Sequence, residues 1–147
     1  MRKTFLPAIF TGLLIILLGP LLGCAGTDGS IKTTLGQEFT LRLGQTAQIE
    51  GEQLSITFNG VSEDSRCPRD VLCIRAGEVK CEMTVTYQGS SSSITLIQPG
   101  MTEPASETYR GYRIIYSVEP YPDAGKPISP AEYRLNLTVQ KLPQSSD

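Results

Sequence analysis

Acidic and thiol side chains are the first candidates for chemistry in this 147-residue sequence, which contains no histidine. Without histidine there is no Ser-His-Asp or Cys-His nucleophilic site and no His-ligated zinc, haem or copper. The 13 basic and 15 acidic residues nearly balance, whereas nucleic-acid binding needs a concentrated Lys/Arg surface. These counts exclude the histidine-dependent enzymes and argue against a nucleic-acid partner.

Three thiols, on Cys67, Cys73 and Cys81, could together form a metal or redox site. Their separations of six and eight residues do not match the Cys-x-x-Cys pairs of zinc knuckles or thioredoxin-like proteins. The spacing therefore favours a structural role, with thiolate chemistry as the alternative.

The carboxylates of Glu63, Asp64 and Asp70 could ligate Ca²⁺, which takes six to eight oxygen ligands, or could do acid–base work. The segment lacks the Asp-x-Asp-x-Asp-Gly spacing of a calcium loop, and nearby arginines compete for the acids. We therefore predict no metal, no cofactor and no catalytic residue. We keep Asp64, Arg66, Asp70 and Arg75 as candidate binding residues.

Tyrosine is the residue type of this chain most suited to recognition, because it joins a large contact area to a polar tip. Tyr109 and Tyr121 lie in or beside predicted loops and are further candidate binding residues. The other four fall on apolar strand faces, where core packing is expected; they are Tyr87, Tyr112, Tyr116 and Tyr133.

The elements that must position these residues are strands, since apolar and polar residues alternate along most of the chain. The alternating runs are 39–43, 54–58, 79–87, 94–96, 112–118 and 133–139, with a short piece around 47–49. Asn59-Gly60 closes the second run. About seven half-buried strands predict an all-β fold over residues 37–142, namely an antiparallel, Ig-like β-sandwich. A small β-barrel is the alternative. Residues 143–147 are predicted to be a frayed tail.

Irregular segments interrupt the strands at 62–77, 98–107 and 120–130, and the last of these is too rich in proline for a central strand. Function usually resides on loops held by a rigid scaffold. We therefore expect any binding site to lie on these three segments.

The N-terminus carries a positive pair, Arg2 and Lys3, then an apolar stretch that ends in Leu21-Leu22-Gly23-Cys24. This order resembles the signal peptide and lipobox of bacterial lipoproteins. The resemblance implies a signal peptide over residues 1–23, cleavage before Cys24 and a diacylglyceryl group on its thiol. A transmembrane helix or an ordinary secretory signal is the alternative, although Gly19-Pro20 interrupts the apolar run.

The resemblance also implies a location in the cell envelope, outside the cytoplasm, with the lipid on Cys24 as the contact with the membrane. The following Ala25 is similar to the pattern of lipoproteins passed to the outer membrane, if the organism is diderm. Residues 24–36 are predicted to be the lipidated cysteine and a flexible tether.

An exported domain meets an oxidising compartment, so disulfide pairing is expected among the three remaining cysteines. Cys81 shares the apolar face of its predicted strand with Val79 and Met83 and should point into the core. Cys67 and Cys73 both lie in an irregular loop. We therefore predict a Cys67–Cys73 disulfide and a reduced Cys81.

The segment 58–78 contains Asp64-Ser65-Arg66-Cys67-Pro68, a second cysteine and a glycine just before the next strand. It resembles a segment of uncharacterised bacterial secreted proteins and lipoproteins, which often carry Trp where this chain has Arg75. The resemblance implies a β-rich exported domain with a disulfide between the two matching cysteines, and it implies no activity.

Together these features predict a lipid-anchored, non-enzymatic β-sandwich module for protein interaction or envelope association, with an envelope protein as a possible partner. A lipoprotein that binds a small molecule or metal ion through the 62–77 and 120–130 loops is the alternative. An unrecognised carboxylate hydrolase is the third class.

Overall fold

Nine strands form in the computed structural model, which describes residues 29–100 and 104–143. In chain order they are β1 (Ser30–Thr33), β2 (Glu38–Arg42), β3 (Thr46–Ile49), β4 (Leu54–Asp64), β5 (Glu78–Tyr87), β6 (Ser90–Pro99), β7 (Ala105–Tyr109), β8 (Tyr112–Glu119) and β9 (Arg134–Lys141). One 3-10 turn at Pro130–Glu132 precedes β9. The predicted signal peptide, Cys24 and residues 144–147 of the predicted tail lie outside the described residues.

The strands are arranged in two layers, a five-stranded sheet in the order β1-β3-β4-β5-β6 and a four-stranded sheet in the order β2-β9-β8-β7. The pairing of β1 with β3 is parallel, and the other strand pairs within the described residues are antiparallel. The two sheets pack face to face and do not close on themselves. The predicted β-sandwich is confirmed, and the alternative barrel is not formed.

The hydrophobic core lies between the two layers. Along β5, Val79, Cys81, Met83 and Val85 are fully buried, whereas the residues between them are partly exposed. A strand presents alternate residues to opposite faces, so the period that predicts the strands also predicts the core. Leu43 is an exception, because β2 has already ended and Leu43 lies 45% exposed in the turn that follows.

Two strands go beyond the predicted number, and both lie at sheet edges. None of the residues of β7 is buried, and in β1 only Thr33 is. A strand that is solvated on both faces has no strict alternation, so its sequence carries little strand signal. The structure thereby corrects the predicted tether over 24–36, because residues 30–33 form β1 and pair with β3.

Strand β4 continues to Asp64 and does not end at Asn59-Gly60 as predicted. Its register with β5 shifts between Phe58 and Gly60, and again before the strand ends. Gly60 has a φ of 136°, a conformation that glycine adopts readily and that suits an irregular position in a ladder. The Asn-Gly pair therefore marks a bulge, and the extended strand delivers Asp64 to the end of the sandwich.

Candidate functional site

Two of the segments predicted to carry function, 62–77 and 120–130, meet at one end of the sandwich. We call this the loop end and define it by residues 65–77 and 120–133. The backbone N–H of Arg69 donates to the Pro122 carbonyl at 3.2 Å. The backbone N–H of Ala124 donates to the Asp70 carboxylate at 2.8 Å. The two segments therefore form one surface, although Asp70 and Ala124 are 54 residues apart in the chain.

The third segment, 98–107, joins the loop end through a close approach of backbones. The N–H of Gly100 donates to the carbonyl of Gly77 at 2.8 Å. A Cβ at Gly77 would overlap the carbonyl oxygen of Ser65, and one at Gly100 would overlap that of Ala76. Gly77 also has a φ of 69°. Only glycine fits these two positions, which fix the base of the 65–77 loop.

Arg66 joins the two sheets at the base of the loop end. Its side chain is fully buried and donates to both carboxylate oxygens of Asp64, from Nε at 2.9 Å and from Nη2 at 2.6 Å. The same guanidinium donates to the carbonyls of Val118 at 2.8 Å and Pro120 at 2.9 Å. A buried charge must be paired and hydrogen-bonded. Asp64 and Arg66, both predicted as binding residues, are therefore committed to holding the fold.

Two tyrosines complete this buried network. The Tyr133 hydroxyl donates to Asp64 at 3.1 Å, and burial, followed by the nearby negative charge of Asp64, raises the pKa of Tyr133 to about 12. Tyr121 lies with its ring centroid 5.0 Å from the Arg66 guanidinium carbon and 5.8 Å from that of Arg69. Its hydroxyl donates to the Gly100 carbonyl at 3.2 Å. The Tyr121 ring is therefore held by cation–π contacts inside the loop end.

The predicted carboxylates point to different partners and do not converge. The hydrogen bond from the Ala124 N–H, and then that from its own backbone N–H, lowers the pKa of Asp70. Glu63 pairs with Lys80 at 2.8 Å on the sheet surface. Within residues 29–100 and 104–143, no three Cys, Asp or Glu side chains gather in a way that could hold a metal ion.

The cysteines are arranged as predicted. Cys67 and Cys73 form a disulfide, with Cα atoms 5.9 Å apart, and Cys81 is a free, buried thiol. Burial raises the pKa of Cys81 to about 12. Because the thiolate is the reactive form, Cys81 is unsuited to metal or redox chemistry at neutral pH.

The disulfide loop displays apolar side chains that the sequence analysis did not single out. Leu72 is 102% exposed and Ile74 is 104% exposed, and Val71 beside them is 45% exposed. Arg75 is exposed next to Ile74. The available signal was an apolar run, Val71-Leu72-Cys73-Ile74, in a segment with no strand period. We call residues 71–75 the loop tip.

Tyr109 does not belong to the loop end. It pairs with Tyr112 at the opposite end of β8, so the length of that strand, about 20 Å or more, separates it from Tyr121. There it lies beside a depression of about 470 Å³ bounded in part by Tyr87, Arg110 and Tyr112. Hydrogen bonds with Ser92 and Arg110 lower the pKa of Tyr109. Sequence reasoning missed this cluster, because its members come from separate strands.

Comparisons with known proteins do not assign the chain to a family. No family model matches it, and neither the curated proteins nor the solved structures contain a match. The resemblances of the lipobox and of the segment 58–78 remain predictions. Among the described residues, no helix has the length and apolar character needed to cross a membrane.

Proposed function

We propose that the protein is a lipid-anchored, extracytoplasmic β-sandwich that works by binding rather than by catalysis, with the loop end as its binding surface. The observation that carries this proposal is the complete exposure of Leu72 and Ile74 on the disulfide loop. Apolar side chains left together on the surface are typical of sites that meet another molecule or a membrane.

The rigidity of the loop base supports this proposal. The Cys67–Cys73 disulfide, the Arg66 network and the close approach at Gly77 restrain the chain on both sides of the loop tip. A surface that is ordered before binding loses less conformational entropy when it binds. A disulfide-restrained loop with an apolar tip therefore suits recognition.

A binding role also accords with how the polar groups are used. Asp64 and Arg66 satisfy each other, Asp70 accepts a backbone hydrogen bond, and Cys81 is a buried neutral thiol. A general acid or base must be able to reach a substrate proton. These groups instead contact the protein itself.

The anchor follows from the resemblance to the lipobox, with Cys24 as the lipidated residue. Attached acyl chains give stable anchoring without help from the domain. The protein would then act in the cell envelope, at the outer membrane if the organism is diderm, on an envelope component within reach of the loop end.

The test is expression of the full chain in bacteria fed an alkyne-tagged fatty acid. Label and membrane association are expected for the native chain and should be lost in Cys24→Ala, while the matched Cys81→Ala variant retains both. Label that persists without Cys24 would contradict the anchor. A hydrolytic or transfer activity that disappears in Glu63→Gln or Asp70→Asn would contradict the binding role.

Small-molecule binding is a second candidate, which the depression at the end of the sandwich opposite the loop end favours. Tyr112 donates to Glu52 there at 2.7 Å, and Lys141 pairs with Glu52 at 2.9 Å, beside the exposed Arg110. Aromatic faces next to fixed charges are typical of ligand sites. Extra mass found only in the native mass spectrum of the purified protein, and lost in Arg110→Ala, would support this candidate.

A further inference from the structure

We infer that the loop end docks on the bilayer that carries the anchor, with Leu72 and Ile74 entering the interfacial region and Arg69 and Arg75 contacting anionic lipid headgroups. The inference rests on the proposed lipid anchor at Cys24 and names the partner of the proposed binding surface. Three observations support it, namely the direction of the chain, its length and the composition of the loop tip.

The chain enters the domain from the side of the loop end. Ser30 of β1 pairs with Thr46, and Thr46 pairs with Thr57 in the middle of β4. From Ser30 to Thr33, β1 then runs towards the level of Leu54, the first residue of β4, at the opposite end of the sandwich. The N-terminal end of β1, at Ser30, is therefore the end of that strand that faces the loop end.

The connection is also short. Gly29 lies beside Gln45, which is bonded to Phe58 in β4. Five peptide units join Gly29 to Cys24, and in any conformation they span at most about 18 Å. Phe58 pairs with Met83 of β5, and β5 continues from Met83 to Glu78 at the loop end. These five residue steps extend the sheet about 17 Å beyond the level of Phe58. Fully extended, this connection therefore reaches the level at which the loop end begins, so a lipid on Cys24 cannot lie far beyond the loop tip.

The composition of the loop tip fits a membrane interface. Leu72 and Ile74 are fully exposed aliphatic side chains, the type that enters the boundary between headgroups and acyl chains. Arg75 is exposed and makes no ion pair within the described residues, whereas Arg69, whose side chain is 59% exposed, pairs with Asp123 at 3.4 Å on the surface. Arginines beside an inserted tip can keep their charges among anionic headgroups while their stems lie on apolar surface.

The size of the tip favours the bilayer over a protein partner. Three aliphatic side chains cover far less than the about 800 Å² per partner that a stable protein interface buries. An anchored domain needs only weak affinity, because the anchor holds the tip at a high effective concentration beside the lipid. The small apolar tip is therefore sufficient for docking on a membrane to which the chain is already attached.

Tryptophan fluorescence tests the inference, because the chain contains no tryptophan. Leu72→Trp places a single reporter at the loop tip, and Ser90→Trp places the matched reporter at an exposed site at the opposite end of the sandwich. The full chain is purified from membranes, its N-terminal mass is measured, and it is reconstituted into phosphatidylcholine vesicles with and without about 30% phosphatidylglycerol, where anionic lipid strengthens contacts with basic residues.

Docking predicts that Leu72→Trp emission shifts to the blue and is quenched by lipids brominated on their acyl chains, whereas Ser90→Trp emission is not. Adding Arg75→Gln to Leu72→Trp should lower the docked-to-undocked ratio about fivefold in anionic vesicles and leave it unchanged in neutral ones.

In a lipidated sample, docking is overturned and the anchor is left intact if Leu72→Trp and Ser90→Trp have the same emission maximum and the same quenching. An N-terminal mass without lipid overturns the anchor, and with it the docking, because the weak affinity of the tip depends on the anchor. A photo-crosslinker at residue 72 that captures one protein instead of lipid also overturns docking.

Discussion

At the scale of single residues, Arg66 shows how the same side chain can suggest binding in sequence and serve structure in the fold. Its position beside Asp64 and Asp70 made it a candidate binding residue, because charged loop residues are usually exposed. The structure instead buries Arg66 between the two sheets. There its guanidinium donates to the carbonyl of Val118 in β8 and to that of Pro120, the residue that follows β8. Arg66 and Val118 are 52 residues apart in the chain, so no local sequence pattern can predict their contact.

Removal of the Arg66 side chain should destabilise the protein strongly. Arg66→Ala leaves the Asp64 charge and the Val118 carbonyl without their donors, so we expect the free energy of unfolding to fall by about 3 kcal/mol or more. The matched variant Arg69→Ala removes an arginine whose side chain is 59% exposed, and should cost less than about 1 kcal/mol. Urea unfolding followed by circular dichroism measures both, and equal losses would contradict the structural role of Arg66.

The stability of the protein should fall at alkaline pH. Burial raises the pKa of Cys81 from its ordinary value of 9.0 to about 12, and raises those of Tyr112 and Tyr133 from 10.0 to about 12. The folded state therefore favours their neutral forms, so this stabilisation is complete below the unfolded pKa values and is lost as the pH rises through the folded ones. We expect the free energy of unfolding to decline between about pH 9 and about pH 12.

The Cys81→Ala variant separates the thiol from the tyrosines. This substitution removes the group with the lowest unfolded pKa. The free energy of unfolding of the variant should therefore begin to decline near pH 10, about one pH unit higher than in the native chain. Urea unfolding across this pH range provides the measurement. The same onset in both proteins would show that Cys81 does not contribute.

At the scale of elements, the strands were predictable where one of their faces is buried and not where both are solvated. β5 and β8 alternate over their whole length, and both were predicted. The edge strands β1 and β7 were missed, because few of their side chains are buried. The end of β4 was predicted wrongly for a different reason. Glycine is favoured both in a turn and in a β-bulge, so the sequence does not show which of the two Gly60 forms.

The glycine at the base of the disulfide loop provides a test at this scale. Gly77 and Gly89 have similar φ values, 69° and 80°, but only Gly77 faces a backbone atom, the carbonyl oxygen of Ser65. Gly89→Ala should lower the free energy of unfolding by about 1 to 2 kcal/mol, the cost of a non-glycine residue in the left-handed conformation. Gly77→Ala should cost at least about 2 kcal/mol more, since the backbone must also move. Thermal and urea unfolding compare the two, and equal costs would contradict the close approach.

At the scale of the whole molecule, the topology gathers distant segments into one end and directs the N-terminal chain towards it. The parallel pairing of β1 with β3 is the feature that sets this direction, because an antiparallel β1 would leave towards the opposite end. The strand also shortens the connection to Cys24, since β1 pairs with β3 from residue 30 onwards, whereas the predicted domain begins at 37. The proposed anchor at Cys24 would thereby lie on the same side of the sandwich as the loop end.

Truncation tests the start of the domain. A secreted chain that begins at residue 37 lacks β1, which exposes the edge of β3 and removes the partly buried Ile31 from the core. Compared with a chain that begins at residue 29, it should lose at least about 1 kcal/mol of unfolding free energy, because a partly buried side chain contributes a part of the roughly 2 kcal/mol of a fully buried one. Equal stability would return the boundary to residue 37.

The sequence by itself determined the two-residue period of the strands, most residues of the core, the Cys67–Cys73 disulfide and the buried Cys81. These depend on which face of a strand is apolar and on where a cysteine lies relative to that face, and both are local properties. Only the tertiary structure decided that Arg66 is buried, that Tyr109 and Tyr121 lie at opposite ends and that the loop tip lies on the side from which the chain enters. These depend on which strands pair and in which direction, and strand pairing joins residues that are far apart in the chain.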